Sequence, residues 1–258
     1  MGRERTVMSG LADLSADAIR LFAEAIESVS REMRHNVPPP RGAPFYALDY
    51  APGDLTPLDV LSSRGIFRKY ESALHIGAGL GAPARWWATH FGCSVLGIDI
   101  SVAMATVAGR LTRRAGLAGS VRFVAADAAT IPVRDRVFTH VWAGDAIGAA
   151  NSPAALREAW RVLRPGAHFG LRVLAETPRD EEEWCRRIAA MGFVDVVGQP
   201  AARPQISQVA QLARRRLDRR LRELADPLAS RLSGACQQAY QRAEGVEPTI
   251  VVFARRPA

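Results

Sequence analysis

Apolar residues recur on two different periods along this chain, and each change of period marks an element. Ile19, Phe22, Ile26, Val29 and Met33 fall at steps of three and four, which predicts an amphipathic helix over 16–34 with Ser15 as its cap. The stretch "HNVPPPRGAPFYALDYAPGDLTP" then stops any helix with proline and glycine, and reads as a linker carrying Phe45, Tyr46 and Tyr50. From residue 72, short apolar runs alternate with helical stretches: "SALHIG" as strand, 82–91 as helix, "CSVLGID" as strand, and 102–115 as helix ending near Gly116. The strands "VRFVAAD" and "VFTHVWAG" follow, then a helix over 153–163 ended by "RPG", and "HFGLRVL". The chain continues with "EEEWCRRIAAMG" as helix, "FVDVVGQ" as strand, 205–243 as one or two helices, and "TIVVFARR" as a closing strand. Apolar strands alternating with helices predict an α/β fold, a parallel sheet covered on both faces. The expected organisation is a helix and aromatic linker over 1–70 that cap a site, and an α/β domain over 71–258 with a helical insert at 200–245.

Composition narrows this picture. With 48% hydrophobic and 23% charged residues among 258, the chain can bury a sizeable core, and disorder is not the default. No apolar run approaches the roughly 18 residues that span a bilayer, so no membrane span is expected and the reading is cytoplasmic. The formal charge of +8 comes almost wholly from arginine, Lys69 being the single lysine, which resembles coding bias more than a phosphate-binding surface. Cys93, Cys185 and Cys236 lie far apart with no histidine at ligand spacing, so no metal site and no disulfide framework is expected.

The candidate chemistry starts at "HIGAGLG". Gly77, Gly79 and Gly81 follow the first strand where the backbone must turn into a helix, so a ligand can approach the main chain and meet free N–H groups at the helix start. That favours an anion or carboxylate. Asp99, ending the second strand, can accept hydrogen bonds from both hydroxyls of a ribose. The same residues with Ala82 also satisfy GxGxx[GA], so the loop alone leaves a nicotinamide-dependent oxidoreductase open. Asp127, with Ala128 and Ala129 after the third strand, suits an adenine amino group.

The motifs "HIGAGLG", "VLGIDIS", "FVAADAATIP", "FTHVWAGDAI" and "EAWRVLRPG", in that order, resemble the class I S-adenosylmethionine-dependent methyltransferases. The resemblance is nearest to their small-molecule branch of ubiquinone-biosynthesis, sarcosine/dimethylglycine and tocopherol-type enzymes. It implies a Rossmann-like, doubly wound, mostly parallel seven-stranded sheet with an antiparallel last strand. It also implies S-adenosyl-L-methionine as cofactor and a small-molecule O, N or C acceptor. Carried over by motif, Gly77, Ala78, Gly79 and Gly81 would bind the methionine moiety, with His75 beneath them. Asp99 would take the ribose, Ile100 and Met104 the adenine face, Asp127 and Ala128 the adenine edge, and Ala143, Gly144 and Asp145 the space beside the sulfonium. Two positions depart from the pattern: His75 stands where the family usually has an acid, and Thr139 replaces a common aspartate.

Methyl transfer needs chiefly in-line alignment of the acceptor with the methyl group. Where the acceptor has a proton to lose, His140 and His75 are the candidate catalytic bases. Against that, the favoured reading of His140 is a buried strand residue hydrogen-bonded to backbone, and that of His75 is support under the loop. Tyr46, Tyr50 and Trp142 could present ring faces to the sulfonium on the substrate side. In the insert, Leu217, Leu221, Leu224, Leu228 and Leu232 repeat at helical spacing among Arg214, Arg215, Arg219, Arg220 and Arg222. That pattern fits a lid or a solvated arginine face. A nucleic-acid methyltransferase and a non-catalytic cofactor-binding protein stay as alternatives, and a homodimer is left open.

Overall fold

The computed structural model describes residues 16–36, 56–63, 71–144, 152–175, 177, 179–201, 208–223 and 249–258. Its sheet has the order β3-β2-β1-β4-β5-β7-β6, built from β1 (Ser72–Ile76), β2 (Ser94–Asp99), β3 (Val121–Ala125), β4 (Phe138–Ala143), β5 (Leu163–Leu174), β6 (Val194–Pro200) and β7 (Thr249–Arg255). The first five pair in parallel. β7 runs antiparallel to both β5 and β6 and lies between them, so among the described strands β6 pairs with β7 alone. The expected α/β sheet with an antiparallel last strand is thereby found.

The helices described are α1 (Ala16–Asn36), α2 (Thr56–Ser63), α3 (Ala82–Phe91), α4 (Val102–Arg114), α5 (Pro153–Val162), α6 (Asp180–Ala190) and α7 (Gln208–Glu223). Side chains alternate across each strand and feed two layers. On one face Leu74, Ile76, Val141, Phe169 and Leu171 pack with α5 and α6 through Leu156, Trp184 and Ile188. On the other, Ala73, Val95, Trp142 and Phe253 meet Leu61 of α2 and Trp87 of α3, whose indole N–H donates to Ser62 Oγ at 2.9 Å. A further cluster joins α1, α4 and α7 through Phe22, Ile26, Val107, Leu111, Leu217 and Leu221, and it takes in Leu80 from the glycine loop and Met104.

Polar side chains close the helix ends. Ser101 Oγ accepts from Met104 N at 3.3 Å, and Ser152 Oγ from Ala155 N at 3.2 Å. The C-terminal carbonyls of α5 turn to Arg256, whose Nη1 donates to the oxygens of Trp160, Arg161 and Leu163 at 2.9, 3.2 and 2.7 Å. Its guanidinium carbon lies 3.6 Å from the centre of a Trp160 ring.

Two elements depart from the sequence reading. The linker assignment hid α2, an eight-residue helix opening on Thr56-Pro57, because so short a piece shows hardly two turns of periodicity. β5 begins at Leu163 rather than His168, since the "RPG" stop is a bulge inside the strand: β4 and β5 pair at Phe138–Leu163 and resume at His140–His168, with Gly166 at φ 75° between. The Ser15 cap and residues 224–245 of the insert lie outside the described residues.

Candidate functional site

The carboxyl ends of β1, β2 and β3 are laced together at one aspartate. Beyond Ile76 the chain takes positive φ at Gly77 (68°), Gly79 (51°) and Gly81 (86°), conformations in which a side chain would be strained. Ala78 N donates to Ile98 O at 2.9 Å, and Gly81 N to Ala78 O at 2.8 Å. Asp99 then holds the bend with its side chain: Oδ2 accepts from Gly79 N at 2.8 Å and Oδ1 from Ser101 N at 2.9 Å. Its own carbonyl accepts from Ala126 N at 2.9 Å, tying in the end of β3. Burial pushes the Asp99 carboxyl above its usual range, partly offset by those two N–H donors. Each carboxylate oxygen has more than one acceptor site, so both can take a further hydroxyl.

Around this point the expected residues part company. Gly77, Ala78, Gly79, Gly81 and Asp99 converge on the bend. Ile100 is next in the chain and 76% exposed, an apolar side chain left open beside Asp99, whereas Met104 is buried with Leu80 and α1. Asp127 is exposed and turns its Oδ1 to Ala129 N at 2.8 Å, one residue beyond the Ala126–Asp99 bond. Ala128 packs at the edge of the α5 layer. Ala143 is buried at the end of β4 beside Ile76, and a Cβ added at the following Gly144 would meet no atom of the described residues within 4 Å. Tyr46, Tyr50 and Asp145 lie outside the described residues.

The histidines and Trp142 sit on the α2/α3 face of the sheet. His75 pairs with Gly97 on one side and Trp142 on the other, is 3% exposed, and its buried Nδ1 has no hydrogen-bond partner among the described residues. Burial, with Arg172 adding like charge, pushes its pKa down to about 3. His140 lies two residues before Trp142, further from the carboxyl edge. Its ring stacks on His168 at 5.4 Å between centroids and its Nδ1 is 3.2 Å from Thr139 Oγ1. Burial and His168 push it to about 3 as well. Thr139 Oγ1 donates to Ser72 O at 3.0 Å, joining β4 to β1.

Three residues emerge that the sequence reading passed over. Phe123 lays its ring across β2, so that a Cβ on Gly97 or Gly81 would stand 2.4 or 2.3 Å from it. Arg85, fully buried on α3, donates from Nη1 to Leu80 O of the loop at 2.6 Å. Arg172 sits on the face that carries His168 and Gly170, a pattern visible in "HFGLRVL" as one charge at alternating positions in an apolar strand. Among the described residues no three His, Cys, Asp or Glu side chains form a metal-binding group, and no helix is long and apolar enough to cross a membrane. A cavity of about 350 Å³ runs along α7, away from the glycine bend, lined by Arg215, Asp218, Arg219, Arg222 and Glu223. Arg222 already pairs with Asp218, and Arg219 with Glu223.

Residues 74–171 match a family model described as a methyltransferase domain. The chain is 33% identical over 129 residues to methyltransferase GfsG of Streptomyces halstedii, covering 46% of each protein. It is 28% identical over 168 residues to phosphoethanolamine N-methyltransferase 1 of Arabidopsis thaliana, covering 58% of this chain and 33% of that one. It thus spans less than half the length of these curated relatives. Among solved structures, the [4+2]-cyclase SpnF superposes with a TM-score of 0.59 at 21% identity, over 78% of this chain and 80% of that one. That likeness bears on the fold alone, since one fold serves many reactions.

Proposed function

We propose that this chain, whose residues 74–171 are a methyltransferase domain of the class I S-adenosylmethionine-dependent kind, moves a methyl group from S-adenosyl-L-methionine to a small-molecule O, N or C acceptor. The observation that carries the reading is the Asp99 carboxylate bonded to Gly79 N and Ser101 N, which brings a diol acceptor and a glycine bend to one point. The residues present fit the cofactor. The bend opens onto α3, a helix with no side-chain cap, which suits a carboxylate. Asp99 holds the ribose hydroxyls, the exposed Ile100 covers one adenine face, and Asp127 and Ala128 meet its edge. Met104 acts from below, as packing under Leu80.

When bound, the cofactor supplies an electrophilic methyl group on a sulfonium. The protein's part is alignment and exclusion of water. His75 and His140, pushed to about 3, are too weakly basic to take a proton efficiently near neutral pH. We therefore assign these two to packing within the sheet and read the transfer as one in which neither acts as the base.

Calorimetry tests the reading. S-adenosylmethionine and S-adenosylhomocysteine should each bind saturably, and Asp99→Asn should weaken both about 10- to 100-fold, as expected for a charge-assisted bond in a half-buried site. Heat for NAD in place of either ligand would defeat it.

A further inference from the structure

The chain over 126–137, between β3 and β4, has neither helix nor strand, yet it carries Asp127. An irregular segment can hold a side chain toward a ligand only where something else fixes its backbone. Its near end is fixed by β2, since Ala126 N donates to Asp99 O at 2.9 Å. The turn that follows closes on itself, with Thr130 N donating to Asp127 O at 3.1 Å and Ala129 N to Asp127 Oδ1 at 2.8 Å.

The far end is fixed by α5. Glu158 Oε2 accepts from Ile131 N at 2.7 Å and Arg161 Nη2 donates to Ile131 O at 3.0 Å, so one side-chain pair takes both backbone groups of a buried residue. Arg161 Nη1 donates to Val133 O at 2.9 Å and to Asp135 Oδ1 at 2.6 Å. The guanidinium also meets Glu158 as a fork, Nε to Oε1 at 2.6 Å and Nη2 to Oε2 at 2.8 Å. Each of its five N–H donors is thereby used. Lysine has one nitrogen at its tip and cannot reproduce that geometry. Hydrogen bonding from Arg161 holds the Glu158 carboxyl below its usual range, so the pair stays charged at neutral pH.

Resting on the methyltransferase reading, we infer that Glu158 and Arg161 are positioning residues for the base of the cofactor: by fixing Ile131 they hold the Asp127 turn where its carboxylate meets the 6-amino group of adenine. The turn is pinned at 126 to β2 and at 131 to α5, with Asp127 between the pins. Its Oδ1 accepts from Ala129 N, and a carboxylate keeps further acceptor sites for an amino group. A 6-keto base sets an acceptor against that carboxylate and binds worse.

The test is calorimetry with S-adenosylhomocysteine and S-inosylhomocysteine, which carry a 6-amino and a 6-keto base on the same ribose and amino acid. The wild-type chain should prefer the adenosyl compound by about tenfold or more. Arg161→Gln should bring the two within about threefold of each other by weakening the adenosyl compound, and Arg161→Lys should do the same. Glu158→Gln keeps an acceptor for Ile131 N and should lower the preference about threefold. A merely structural role would weaken both compounds alike and leave their ratio unchanged. That result, or a wild-type chain without the preference, would overturn the inference. If Arg161→Gln does not fold, Glu158→Gln decides by the same ratio. Failure of the wild-type chain to bind S-adenosylhomocysteine would show separately, and would bring down the cofactor reading beneath.

Discussion

Gly97 and Gly81 show how tightly single residues are specified around the bend. Gly97 has no need of positive φ; it is a glycine because Phe123 and Ala78 occupy the space, at 2.4 and 2.9 Å from where a Cβ would be. Gly97→Ala should therefore cost about 1–3 kcal/mol as overpacking, measured by urea unfolding. Phe123→Ala should relieve it, giving a non-additive double mutant with a coupling of about 1 kcal/mol or more. Gly81→Ala should respond less to the same rescue, because φ of 86° remains strained after the ring is gone. Additive costs for Gly97→Ala and Phe123→Ala would contradict the contact. Gly81 was legible as part of a loop motif and Gly97 only as a residue of a strand, but the ring that polices them was not, since Phe123 reads in sequence as one more apolar residue of a strand.

Among elements, α1, α4 and α7 act on the site through the cluster they share with Leu80. Glu27 of α1 pairs with Arg110 and Arg114 of α4 at 3.2 and 3.0 Å, and Glu32 with Arg216 of α7 at 3.2 Å. Leu221→Ala, at a fully buried site, should lower stability by about 2–4 kcal/mol and speed amide exchange across 78–81. Ile188→Ala, equally buried on the inner face of α6, should cost a similar amount without changing that exchange. Equal effects of both variants on 78–81 would remove the link. β1 to β4 were readable because each is an apolar run closed by glycine or aspartate, and α7 because its leucines repeat. α2 was too short to show a period, and the bulge in β5 mimics a helix stop. At the site, Asp99 and the glycines could be paired from spacing alone; the half-buried Arg172 depended on knowing which strands lie side by side.

The whole molecule should answer to acid through its buried imidazoles. His75 and His140 have pKa values near 3 when folded, against about 6.5 for an unfolded histidine. Between those values the unfolded chain binds more protons, so stability rises with pH, is complete above about 6.5 and falls as pH drops toward 3. Each group contributes a slope of about 1.4 kcal/mol per pH unit inside that window. Thermal midpoints should decline from pH 6.5 to 4.5, and His75→Gln should flatten part of that decline. An unchanged slope in His75→Gln would show that other groups set it.

The position of β7 also dictates an order of events during synthesis. Residues 249–256 follow every other described element, yet they supply β6 with its neighbour and α5 with the guanidinium that covers its last carbonyls. Until they leave the ribosome, the nascent chain can assemble five strands while β6 waits without a ladder. Emergence of β7, more than any earlier step, is then the moment at which this sheet becomes whole.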